Sequence, residues 1–184
     1  VELRYNSLLL IAGGSGISSC LSWLTYVTSI VHAKRLETVH LVWIIREKHS
    51  LASVVNELRN SIFSTKTIQV HITFYITGST SNTVLPVTKN EKQIEKDEES
   101  QIGTVETSTQ DNDTMADIGT VAFGRPNLKT VIETSITTGK KLLVLACGPP
   151  GMNADIANAC ADAQKLVLRG EALEIGLHLE AFDW

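Results

Sequence analysis

The 184-residue chain has no apolar run near the 18 or so residues that a membrane-spanning helix needs. Leu8 to Ala12 is apolar, but glycines follow at once. No cluster of basic residues marks a nucleic-acid surface, so no nucleic-acid partner is expected. There are only three cysteines, Cys20, Cys147 and Cys160. An odd count with no CxxC argues against a disulfide framework or a zinc ribbon, and fits a reducing compartment. The five histidines (His32, His40, His49, His71, His178) show no metal-ligand spacing along the chain, so no metal is expected. No signal peptide is visible, and Val1 is not an initiator methionine, which fits a piece of a longer protein.

What charge there is lies in one place. The formal net charge is −4. Residues 89–117 hold nine acids and three lysines, or −6, so the rest of the chain carries +2. Around that stretch, residues 77–117 are rich in Ser, Thr, Asn, Asp and Glu, with few large apolar side chains. Such a composition buries too little surface to repay ordering, so an acidic insertion is expected there. It reads as a solvated loop or as a regulatory segment carrying phosphorylation sites. The remainder has the size of one ordinary domain.

Outside the insertion, short apolar runs alternate with helical stripes. Ser7–Ala12, Val39–Ile45, Ile68–Ile76 and Lys141–Cys147 predict buried strands, and Leu173–Phe182 a final one. Helices are predicted after the glycines at 13–16, over Leu51–Ile62, after Asn127 as N-cap, and over Met152–Leu168. Strands joined by helical crossovers make an α/β fold, a mostly parallel sheet with helices on both faces. Ligands of such sheets bind beyond the carboxyl ends of the strands.

Those ends carry the candidate chemistry. Gly13-Gly14-Ser15-Gly16 leads into a helix whose free N–H groups and positive dipole end suit a phosphate. A tight strand-to-helix turn would use the same glycines, and GGSG lacks the GxGxxG spacing. Arg46 ends the second strand, where an arginine suits the 2′-phosphate of NADP and an acid suits NAD. Arg46 could equally be a surface arginine, and Glu47 could bind a ribose hydroxyl or face solvent. Cys147-Gly148-Pro149 forms a constrained turn expected to expose a small thiol to a ligand; the other reading is a buried structural cysteine. Cys20 and Cys160 read as structural.

Taken in order, AGGSGIS (12–18), WIIRE (43–47), GRPN (124–127), CGPPGM (147–152) and EAFDW (180–184) resemble the C-terminal NADP-binding domain of ferric reductases. These stand with the NADPH oxidases in the ferredoxin–NADP reductase-like group, and the acidic insertion points to a fungal member. The resemblance implies a Rossmann-like NADP-binding domain over 1–184 that binds NADPH and aids hydride transfer to FAD. It implies that Gly13, Gly14, Ser15, Gly16 and Ile17 cradle the pyrophosphate. Arg46 and Arg125 would meet the 2′-phosphate region, with Pro126 beside them. Cys147, Gly148 and Pro149 would contact nicotinamide and ribose, with Met152 opening the helix behind. Glu180 and Phe182 match the family's terminal acid and aromatic, although Trp184 competes with Phe182 for the flavin. Cys147, Glu180 and Phe182 are thus the expected catalytic set. The resemblance further implies an FAD-binding barrel and a haem-carrying transmembrane domain in the same parent. It implies Fe(III) or Cu(II) chelates as acceptors, and a place on the cytosolic face of a membrane, the plasma membrane foremost. A superoxide-generating oxidase and a non-catalytic nucleotide-binding module are the alternatives.

Overall fold

A computed structural model describes residues 4–29, 35–47, 54–63, 68–78 and 118–180. Phe182, Trp184 and residues 79–117, which carry expectations from the sequence, lie outside the described residues. The strands are β1 (Ser7–Gly13), β2 (Thr38–Ile45), β3 (Gln69–Ile76), β4 (Thr120–Phe123), β5 (Lys141–Cys147) and β6 (Glu174–Glu180). The helices are α1 (Ile17–Ser29), α2 (Val55–Phe63), α3 (Leu128–Ser135) and α4 (Pro150–Leu168).

All six strands are parallel, in the order β4-β3-β2-β1-β5-β6. The predicted Rossmann-like α/β fold is therefore present. The alternation of side chains across β1 explains the two layers of helices. Leu8, Leu10 and Ala12 pack with Leu21 and Leu24 of α1 and Leu58 of α2. Leu9 and Ile11 pack with Ile132 of α3 and Ile156 and Ala163 of α4. A central strand buried on both faces reads as a continuous apolar run, as SLLLIA does.

Two details differ from the expectation. A short strand, β4, pairs with the outer edge of β3. Its four residues are exposed or half-buried, so they carry none of the apolar signal of a core strand. Helix α4 begins at Pro150 instead of Met152, because proline at a first helical position has no N–H to lose. Thr77 and Gly78 still donate backbone hydrogen bonds to Ile45 and Arg46 at 2.8 and 2.9 Å, continuing the β2–β3 ladder. Asn127 does cap α3: its side chain accepts from the Thr130 N–H at 3.1 Å.

Candidate nucleotide-binding site

The chain leaves β1 toward one face of the sheet through α1, and leaves β5 toward the other through α4. These two strands are paired neighbours, so their outgoing loops diverge and open a crevice at their carboxyl ends. A cavity of about 790 Å³ lies there. It falls within the size range of small-molecule and cofactor sites.

The β1 loop forms one wall. Gly14 has φ +55°, a conformation glycine adopts without the penalty of a Cβ. Gly14 to Gly16 form a single 3₁₀ turn before α1. Gly16 lies against the end of β5: a Cβ there would stand 2.1 Å from the Cys147 carbonyl oxygen. This contact brings the first and fifth strand ends together. The loop is also tied from the side, because the Trp43 indole N–H donates to the Gly14 carbonyl at 2.9 Å. Trp43 is itself 2 % exposed and packs edge-on to Phe74.

Trp43→Phe removes that donor and also shrinks a buried ring, which leaves a cavity in the core. We expect a loss of about 2–4 kcal/mol in stability, of which the hydrogen bond accounts for about 1 kcal/mol and the cavity for the rest. Thermal unfolding beside nucleotide titration checks it, and an unchanged melting temperature would deny the tie.

The opposite wall comes from β2, the loop before α3, and the start of α4. Of the predicted residues, Gly13, Gly14, Ser15, Gly16, Arg46, Arg125, Pro126, Gly148, Pro149 and Met152 all line this one cavity. Arg46 and Arg125 are exposed, and neither joins an ion pair among the described residues. Two guanidinium groups thus face an open cavity with their donors uncommitted, as an anionic ligand requires.

Three predicted residues, Ile17, Cys147 and Glu180, stand outside the cavity lining. Ile17 is 5 % exposed and packs in the α1-side core. Its backbone N–H turns back to the Gly14 and Ser15 carbonyls, so it is spent within the turn. Cys147 is fully buried, which corrects the expectation that the Gly148–Pro149 turn exposes its thiol. As the last residue of β5 it points to the α1 side and lies beneath Gly16. Burial, and then the nearby Glu180 carboxylate, raise its pKa, so the thiol is protonated at neutral pH.

Glu180 does not line the cavity. Its carboxylate accepts from the Ser19 hydroxyl and, at 3.2 Å, from the Trp23 indole N–H. His178 lies 3.5 Å away. The Ser19 bond does most to hold this carboxyl below its usual range, against the opposing effect of partial burial. Glu180 is therefore ionised near neutrality and fastens the end of β6 to α1. The Asn153 side-chain amide donates to the Glu180 backbone carbonyl at 3.2 Å from the other face.

Thr77 and Asp155 also line the cavity, and neither was singled out by the motifs. Asp155 lies one helical turn beyond Met152, so the helical period could have found it. Among the described residues it is the only acidic residue in the lining.

The model of the ferric reductase NAD-binding domain family matches residues 5–161. The chain belongs to that family. Among curated proteins, the "Probable cell surface ferric reductase kap2" of Aspergillus oryzae (strain ATCC 42149 / RIB 40) is 34% identical over 65 residues. That stretch is 34% of this chain and 9% of the relative's length. In this ferric reductase NAD-binding domain the cavity lies between the GGSG and CGPPGM loops. The missing Cβ at Gly16 lets the glycine turn sit against the end of β5 beside the cavity, and the arginines supply positive charge. These residues fit a nicotinamide dinucleotide.

Proposed function

We propose that this chain is the NADPH-binding part of a flavohaem reductase of Fe(III) or Cu(II) chelates. The observation that carries the reading is the single cavity where the glycine loop, Arg46, Arg125 and the Gly148–Met152 loop converge. Family membership supports a nicotinamide cofactor and oxidoreductase chemistry. When bound, the nucleotide supplies a hydride to FAD held by another part of the parent.

The chain's own residues then have positional work. Gly13 to Gly16 let backbone approach the pyrophosphate, with the positive end of α1 behind them. Arg46 pairs with the 2′-phosphate in a two-donor fork, and Arg125 adds charge from the loop before α3. Gly148, Pro149 and Met152 receive the nicotinamide end. Cys147 acts from below, holding Gly16 at its packing distance. Ordering the ring against its acceptor removes orientational cost from the reaction. Glu180, fastened to α1, holds the end of β6 in place.

The FAD-binding barrel and the haem-carrying transmembrane domain are proposed as partners within the same parent. The relative named as a cell surface protein favours a membrane parent, with this domain on the cytosolic face. No helix among the described residues is long and apolar enough to cross a membrane. Fe(III) is favoured over dioxygen as acceptor by the relative's name as a ferric reductase. The test is NADPH-dependent Fe(III) reduction by the full-length parent, beside superoxide production in the same membranes. Superoxide formation without Fe(III) reduction would overturn the choice of acceptor.

A further inference from the structure

A second cavity, of about 530 Å³, opens near the opposite end of the sheet. It lies by the amino-terminal halves of β2, β3 and β4, on the face that carries α3 and α4. Those helices pack over β1, β5 and β6, so this half of the face has no such cover among the described residues.

The lining has one chemical character. It includes His40, His71, Thr38, Thr73, Thr120 and Ser135. Among the described residues, no lysine, arginine or carboxylate lines it. Imidazole and hydroxyl groups offer lone pairs, and the carboxyl-terminal end of α3 at Thr134 and Ser135 adds the negative end of a helix dipole. Such a set favours a cation over an anion.

The two histidines are register partners on adjacent parallel strands, so both rings project from the same face side by side. Their separation in sequence hides this pairing, which depends on β2 lying beside β3. The His40 ring is also held. Its Nε2 lies 2.9 Å from Thr73 Oγ1. With Nε2–H donating to that hydroxyl, Nδ1 keeps its lone pair for a ligand, the usual way a coordinating imidazole is oriented. His71 is exposed and free to turn.

We propose that His40 and His71 bind one divalent transition-metal ion of the imidazole-preferring kind, with water completing its coordination. Among the described residues no third His, Cys, Asp or Glu joins them. The site is separate from the nucleotide cavity and does not depend on the nucleotide reading.

The probe is zinc chloride, titrated calorimetrically into the intact chain. One-to-one binding is expected, weakened at least about tenfold in His71→Gln. His71 is on the surface, so this variant should fold and should bind NADP⁺ as the wild type does. His178→Gln, at the other end of the sheet, should bind zinc unchanged. With Cu(II) as a second probe, the electron paramagnetic resonance spectrum should show two nitrogen ligands, and His71→Gln should lose one. Absence of zinc binding would overturn the proposal, and so would equal affinity in His71→Gln, which means an adventitious ion only.

Discussion

Gly16→Ala is expected to lose nucleotide affinity by about 100-fold and to lower stability by about 3 kcal/mol. The added methyl would stand 2.1 Å from the Cys147 carbonyl oxygen and 2.7 Å from its carbon. Real non-bonded carbon contacts sit near 3.5–4.0 Å, so something must move. The obstacle is backbone, which cannot rotate away as a side chain can. It is also backbone of β5, held by β1 on one side and β6 on the other. The strain must therefore fall on the glycine turn, whose shape forms one wall of the cavity. Gly151→Ala is the internal control. Gly151 lines the same cavity, but an added Cβ there meets nothing within 4 Å. Its stability should change by no more than about 0.5 kcal/mol. Thermal unfolding and NADP⁺ titration of both variants check this. Equal behaviour of the two would show that the β1 and β5 ends do not touch as described.

Arg46→Ala is expected to weaken NADPH about 30- to 100-fold while changing NADH less than about threefold. A hydrogen bond to a charged group is worth about 1.5–3 kcal/mol, and a guanidinium fork on a phosphate makes two. NADH lacks the 2′-phosphate, so the change should spare it. The geometry supports this asymmetry. Arg46 ends β2 beside the cavity and has no carboxylate partner among the described residues, so its donors are uncommitted. Affinities for both nucleotides, measured on the same preparations, decide the matter. Equal loss for both would remove Arg46 from phosphate recognition and leave it a general source of positive charge.

Strand and loop chemistry made much of the fold legible. A strand buried on both faces must be apolar throughout, which is why Lys141–Cys147 was read with its observed limits. The cavity glycines and Arg46 were legible because each stands at the carboxyl end of a predicted strand, where α/β sheets bind ligands, whereas Arg125 was implied only by the family resemblance. Residues whose meaning depends on neighbouring strands were not. TVAF becomes β4 only by pairing with β3, and neither its length nor its burial announces that. Trp43 looked like one more apolar residue in a strand, yet its indole N–H reaches across to the Gly14 carbonyl. Cys147 could be placed at a strand end from sequence, but alternation alone does not say that Gly16 covers it. His40 and His71 are unremarkable singly and become a pair through register.

The central claim is that a nicotinamide dinucleotide binds between the GGSG and CGPPGM loops. The most direct test is amide chemical-shift mapping of the ¹⁵N-labelled chain during titration with NADP⁺. The account predicts one-to-one binding, with the largest shifts at Gly13 to Gly16, Arg46, Arg125 and Gly148 to Met152. No binding, or shifts centred away from these loops, would contradict it.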